Sequence, residues 1–326
     1  MKSLADLHEH YRTTLVGVIA PFEARRKSIV RRVGITLAAV LAASAAALAI
    51  GLANQAPQVA LIAVIPGAIA VALVAFFSMR GYTSEFKHAV VSRVVEFADP
   101  GLSYSPGGGV GEGSFRASRL FEHSIDRYSC EDLVSGALGR TAVRFSEVHA
   151  EYKTTTRDSK GRTHTHWHTI FKGLFFVADF NKDFRGTTVV VPDVAEKMLG
   201  GWLGQLFQSM NFSRSGQLVK LESPEFEKYF AVYADDQLEA RYILTPALME
   251  RIVEFRKRPD TSDQVFISFA RSCVFVAIPC QRNMFEPRLL RTLMDFEVIK
   301  EYYLDLALAA GIVENLDLNT RLWTKE

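Results

Sequence analysis

Residues 33–79 contain no Asp, Glu, Lys or Arg, in a chain of 326 residues that is 23% charged. An average soluble domain would carry about ten charges over that length, so a wholly soluble protein is excluded. Cysteine is scarce as well. Three in the chain cannot staple a fold of this size, which excludes a disulfide scaffold, and none has a Cys-x-x-Cys partner. A strong charge of either sign is also missing. The formal net charge is +2, and Arg25, Arg26, Lys27, Arg31 and Arg32 gather in one place. The 23 phenylalanines sit in apolar patterns rather than among Lys and Arg, so nucleic acid is not an expected partner.

The uncharged stretch divides into two runs, Val33–Ala53 and Val59–Met79, of 21 residues each. At 1.5 Å per residue each makes about 31 Å of helix, enough for a hydrocarbon core of roughly 30 Å. The turn Asn54-Gln55-Ala56-Pro57-Gln58 joins them into an expected transmembrane helical hairpin. Neither run holds an ionisable residue or a histidine, so a proton or ion relay has nothing to carry it. Basic residues flank both ends of the pair and the turn has none, which places both termini in the cytoplasm. Gly34, Ala38, Ala42 and Ala46 fall four apart, and Ala68 and Ala72 repeat the spacing. Such a stripe lets helix backbones approach closely in lipid and is the expected packing face of the hairpin, or a face for self-association.

The expected organisation is an amphipathic cytoplasmic helix over 1–32, the hairpin over 33–79, a juxtamembrane helix over 80–100, and a cytoplasmic α+β domain over 101–326. Leu4, Leu7, Tyr11, Leu15, Val18 and Phe22 give the first helix its apolar stripe, and Tyr82, Phe86, Val90, Val94 and Phe97 give the juxtamembrane helix its own. Pro106–Gly113 reads as a flexible loop; it lacks the GK[ST] ending of a phosphate-binding loop.

In the last segment, 115–121 and Cys130–Val134 read as short helices. Ala142–Thr156 and Trp167–Phe180 read as long strands around the polar tip Arg157–Arg162. Further strands are expected at Thr187–Val191, Gln217–Glu222, Lys228–Ala234, Ala240–Leu244, Gln264–Phe269 and Ser272–Ile278. Asp193-Val-Ala-Glu196 has capping-box spacing and predicts a helix over 194–210. Thr245-Pro246 opens another, running to Arg256. A long C-terminal helix is expected from Glu286 or Pro287 to Ala310. Strands joined mainly by short turns imply a mainly antiparallel sheet; a seven-stranded, partly closed pleckstrin-like sheet is one form this could take.

Chemistry has few candidates. His164, His166 and His168 alternate along one expected strand, and His149 on its neighbour could complete a tetrahedral divalent transition-metal site. The bland reading is an exposed polar tract, so no cofactor is predicted outright. Glu222, Glu225, Glu227, Asp235, Asp236 and Glu239 cluster within 18 residues. Of these, Glu225, Glu227, Asp235 and Asp236 are candidate interaction residues for a basic partner. No catalytic constellation emerges.

The stretch Ile170-Phe-Lys-Gly-Leu-Phe-Phe-Val-Ala-Asp-Phe180 with Phe184-Arg-Gly-Thr187, then Leu221–Glu227, Tyr233–Gln237 and Glu239–Met249, resembles the bacterial family known as domain of unknown function 3137. The resemblance spans roughly residues 86–310. It implies two membrane spans near the N-terminus and a cytoplasmic domain, with no activity, cofactor or catalytic residue to carry over. The expectation is an inner-membrane, multi-pass protein. It would present an interaction or scaffold domain to the lipid bilayer's cytoplasmic face, to a protein partner or to another copy of itself. The alternatives are a membrane-associated metal-dependent enzyme using the histidine run or the acidic cluster, and a lipid-sensing domain with a pleckstrin-like sheet.

Overall fold

The computed structural model describes residues 1–55, 59–180, 182–193, 216–259, 261 and 264–319. They form two units. A helical unit holds residues 2–94 and 285–301, and a sheet unit holds residues 95–284 together with the chain from Tyr302 onward.

In the helical unit, α1 (Leu4–His10) starts at a reciprocal capping box. Asp6 N donates to Ser3 Oγ at 3.2 Å and Ser3 N donates to Asp6 Oδ2 at 2.9 Å. A π-helical turn (Tyr11–Leu15) leads into α2 (Val16–Ala53) without a break. α3 (Val59–Phe86) returns, and a second π-helical turn (Lys87–Val91) passes into α4 (Ser92–Ala98). Leu7, Tyr11, Leu15 and Ile19 are buried, whereas Leu4 is 43% exposed, so the first stripe runs at strict spacings of four. The later one is buried at Tyr82, Phe86, Val90, Val91, Val94 and Val95.

The hairpin seam differs from the small-residue stripe expected. Within residues 33–53 of α2, Val33, Thr36, Val40, Ser44, Ala47 and Gly51 are the covered positions, while Gly34, Ala38, Ala42 and Ala46 are exposed. On α3 the covered set includes Gly67, Val71, Val74 and Ser78, and Ala68 and Ala72 are exposed. A Cβ at Gly67 would collide with the Val40 side chain. The glycine beside Pro66 thus lies directly against Val40, where an added side chain would push the helices apart.

Beyond the apolar runs the helices stay paired through larger groups. Phe22 meets Phe86 edge-on at 5.7 Å, and Arg25 bridges to Glu85 at 2.5 Å. Residues 287–295, expected to be helical, are irregular. Polar anchors on the helices take up their backbone: Glu23 accepts from Leu293 N at 3.0 Å, Arg26 donates to Leu289 O at 2.5 Å, and the Tyr11 hydroxyl donates to Met294 O at 2.7 Å. Backbone groups satisfied in this way have no need of a helix, and the C-terminal helix starts only at Phe296.

The sheet unit contains β1 (Leu102–Ser105), α5 (Glu112–Ala117), β2 (Arg127–Leu138), β3 (Thr141–Arg157), β4 (Thr163–Asp179), β5 (Thr188–Pro192), β6 (Gln217–Leu218), α6 (Pro224–Glu227), β7 (Phe230–Ala234), α7 (Gln237–Ile243), α8 (Pro246–Lys257), β8 (Phe266–Ala270) and β9 (Cys273–Pro279). α9 (Phe296–Asn315) enters it from residue 302. The strands make one sheet in the order β1-β2-β3-β4-β9-β8-β5-β7-β6, with every pairing antiparallel. The pleckstrin-like arrangement is thus replaced by nine described strands in an open order, β1 and β6 being its edges.

β5 and β8 are buried at every residue and β9 at all but its ends, so the centre of the sheet is covered on both faces. On one face Phe115, Phe121, Phe171, Phe175, Phe266 and Phe275 form an aromatic cluster, Phe115 stacking on Phe121 at 5.1 Å. Each such ring contributes roughly 2–3 kcal/mol by leaving water.

Two local expectations fail for identifiable reasons. Cys130–Val134 is strand, held by pairing to β3. Ala240–Leu244 is largely helix, because Asp236 caps α7 by accepting from Leu238 N at 2.7 Å and Glu239 N at 3.2 Å. The helix opened by Thr245-Pro246 is present as α8, its cap hydroxyl accepting from Leu248 N at 3.3 Å. The helix expected over 194–210 lies outside the described residues.

Candidate functional site

The most concentrated group of titratable side chains lies at a β-bulge. β2 and β3 pair Glu131 with Glu147 and then Val134 with Phe145, so Asp132 and Leu133 stand opposite Ser146 alone. The extra residue turns Asp132 into the left-handed region, at φ +62°, which short polar side chains tolerate best among residues with a Cβ. One donor oxygen from each of Glu131, Asp132 and Glu147 then falls within 4.8 Å of the others. Asp132 is 1% and Glu147 6% exposed.

Backbone and hydroxyl donors hold the group. The Tyr104 hydroxyl donates to Asp132, and Met284 N donates to Glu147 Oε2 at 2.7 Å. Burial pushes the Glu147 carboxyl above its ordinary range; the Met284 amide opposes this, and the negative charges of Glu131 and Asp132 add to it. Chemically, such a cluster can hold a proton at Glu147 or offer oxygens to a hard cation.

The glycine-rich segment before α5 proves to be part of this construction. Asp132 N donates to Pro106 O at 3.0 Å and Leu133 N to Gly108 O at 3.1 Å. Val110, 2% exposed, donates its N–H to Ser146 Oγ at 2.9 Å and accepts from the Tyr128 hydroxyl at 2.7 Å. A Cβ on Gly109 would run into Cys130. Gly108 and Gly109 serve close packing on the bulge, in place of the flexibility expected of the loop.

β3 and β4 continue past their neighbours. β2 begins opposite Glu151 and β9 ends opposite Gly173, so residues 152–168 form a two-stranded ribbon. His164 and His166 are exposed on it, opposite Thr156 and Thr154. His168 stacks on Tyr152 at 4.8 Å, Tyr152 stacks on His123 at 4.3 Å, and His168 Nε2 lies 2.8 Å from Thr154 Oγ1. His149 instead meets Thr169 Oγ1 at 3.5 Å and Glu151 at 3.8 Å. Successive strand residues point to opposite faces, so His149, beside Thr169, is on the other side of the ribbon from His168. Burial holds the His149 imidazole below its ordinary range.

The acidic run divides by use. Asp235 accepts from Thr187 N at 3.0 Å and pairs with Arg119 at 3.3 Å. Asp236 is the α7 cap, and Glu227 accepts from Leu221 N at 2.9 Å. Glu239 takes the amides of Arg185 at 2.8 Å and Gly186 at 2.7 Å. These four organise local backbone. Glu225 pairs with Lys257 at 2.6 Å and borders a groove of about 300 Å³ lined also by Ser223, Phe226, Glu250 and Glu254.

Sequence reasoning missed Glu131, Asp132 and Glu147, whose only local signal is the adjacent pair Glu131-Asp132. It also missed Glu250 and Glu254, one turn apart on α8.

Architecture and site together define an α+β protein built on an open antiparallel sheet, in a chain carrying two helices long and apolar enough to cross a membrane. Residues 169–318 match the model of the family described as protein of unknown function (DUF3137). The chain is similar to the crystal structure of the mycobacterial trehalose monomycolate transport factor A, TtfA, at 12% identity and a TM-score of 0.33, with 67% of this chain and 95% of that one covered. No curated protein matches the sequence.

Proposed function

We propose that this protein is an anchored interaction protein. In this reading the apolar hairpin crosses a bacterial inner membrane, both ends of the chain lie in the cytoplasm, and the sheet unit receives a protein partner. The observation that carries the anchor is the exposure of the two long helices. Their most apolar 18-residue windows are 0% buried, and Ile35, Leu41, Leu52, Phe76 and Phe77 are each 58–66% exposed. Left in water, such side chains forgo roughly 1.5–3 kcal/mol each; hydrocarbon removes that cost. Arg25, Arg26, Lys27, Arg31 and Arg32 before the hairpin, against a turn with no positive charge, support the orientation.

The partner surface is the groove beside Glu225, where Glu225, Glu250 and Glu254 outnumber Lys257. Its charge suits a basic segment of a protein, and tethering at the membrane raises the local concentration enough for modest affinity to suffice.

Topology is tested in intact cells after replacing Cys130, Cys273 and Cys280 by serine. Gln55→Cys should react with an impermeant maleimide added from outside, and Lys2→Cys should react only after permeabilisation. The reverse pattern refutes the orientation, and equal protection of both refutes the spanning hairpin. Crosslinking of the full chain, with and without Glu225→Lys, Glu250→Lys and Glu254→Lys together, tests the groove. A partner lost on charge reversal supports it; a partner retained by the triple variant, or none, refutes it.

A further inference from the structure

The tip of the β3–β4 ribbon carries a second feature, independent of the anchor and of the groove. Asp158 organises the tip. Its N–H donates to Arg162 O at 2.9 Å, and its Oδ1 accepts from Lys160 N at 2.9 Å and Arg162 N at 2.8 Å. Gly161, at φ +78°, makes the turn possible. With Oδ1 occupied, Oδ2 is directed at His164 Nε2, 3.4 Å away. Two ligands at 2.0–2.1 Å from a tetrahedral ion are separated by about 3.3 Å. Asp158 and His164 therefore already stand at the spacing of one edge of a zinc coordination shell.

His166 is the next residue on the same face as His164, about 6.7 Å along the strand, and threonines occupy the positions opposite both. In the present rotamers the donor atoms of Asp158, His164 and His166 do not converge as a trio. Exposed imidazoles change rotamer in picoseconds to nanoseconds, and a rotation of His166 toward His164 is the movement the proposed set requires. His168 is excluded, because its ring is engaged by Tyr152 and Thr154.

We propose that Asp158, His164 and His166 form a surface site for a borderline divalent transition ion of the Zn²⁺ class, with water as the fourth ligand. Two imidazoles and one carboxylate select Zn²⁺ over Mg²⁺ and Ca²⁺, which require oxygen donors. The ion joins the loop carboxylate to the returning strand and fixes the far end of a two-stranded ribbon.

The test uses the full chain in detergent without a polyhistidine tag, titrated with Zn²⁺ by calorimetry and with Co²⁺ by visible absorption. One ion per chain with a tetrahedral Co²⁺ spectrum is expected. His164→Asn, His166→Asn and Asp158→Asn should each weaken binding at least about tenfold, and His149→Asn should leave it unchanged. Asp158→Asn also loosens the turn, so His166→Asn, which carries no structural bond in the tip, is the decisive variant. Absence of binding, binding unaffected by His166→Asn, or binding abolished by Glu147→Gln at the buried acidic cluster would each overturn the assignment.

Discussion

Glu23 is the perturbation on which the helical unit is best tested. Its carboxylate, 5% exposed, accepts from both Arg26 Nε and Nη2 at 2.8 Å and from Leu293 N at 3.0 Å. The Arg26 hydrogen bond, aided by the Leu293 amide, the Thr292 hydroxyl and the Arg26 charge, pulls its pKa from 4.5 to about 2 against the opposing effect of burial. A carboxylate held below its ordinary value stabilises the fold fully above pH 4.5, and that contribution is lost as pH falls through about 2. Two and a half units at 1.36 kcal/mol each set a ceiling of about 3 kcal/mol. Glu23→Gln keeps an acceptor for Leu293 and should cost about 2–3 kcal/mol. Glu23→Ala also strands the Leu293 amide and the Arg26 guanidinium, and should cost about 3–5 kcal/mol. Hydrogen–deuterium exchange of the full chain in micelles at pH 7 reads this locally. Amides of residues 289–294 should exchange about 30- to 150-fold faster in Glu23→Gln, and the acid sensitivity between pH 4.5 and 2 should shrink. Unchanged exchange there, or acceleration spread equally through β4 and β9, would refute the account of Glu23 as the anchor of the irregular segment.

Three further outcomes follow from the sheet unit. Gly173 sits at φ +152° with a virtual Cβ against Ile278 O, so Gly173→Ala should destabilise by about 2–4 kcal/mol, seen as a lower denaturation midpoint. Glu147, with its carboxyl raised by burial, favours folding below its ordinary pKa and loses that contribution as pH rises through the folded value. Glu147→Gln retains an acceptor for Met284 N and should gain on the wild type as pH rises from 4 to 8; a pH-independent difference in midpoint would refute this. The Ser268 hydroxyl is fully buried with no hydrogen-bond partner among the described residues, so Ser268→Ala should leave stability unchanged or raise it by about 1 kcal/mol, measured by thermal unfolding.

Much of the fold was legible because period and punctuation are local. The long strands around Arg157–Arg162 alternate or run apolar as β3 and β4 do, and Thr245-Pro246 marks the start of α8 to the residue. Reading failed where a distant partner decided. Residues 287–295 carry helix-compatible side chains, yet Glu23, Arg26 and Tyr11, some 260–280 positions earlier, take their backbone groups. Gly34 and its alanine companions had the spacing of a packing stripe, but the rotation of the helices put Val40 and Gly67 at the seam instead.

The sequence by itself determined that two helices are apolar enough for a bilayer, that strand pairing is antiparallel, and that residues 169–318 carry a recognisable family pattern. Composition, periodicity and short turns suffice for those, since each is a property of neighbours along the chain. Only the tertiary structure decided that Asp132 turns left-handed to join Glu131 and Glu147, that His149 and His168 face opposite ways, and that most of the acidic run is spent on backbone amides. A bulge shifts register by one residue, and with a side-chain period of two that single step decides which groups meet.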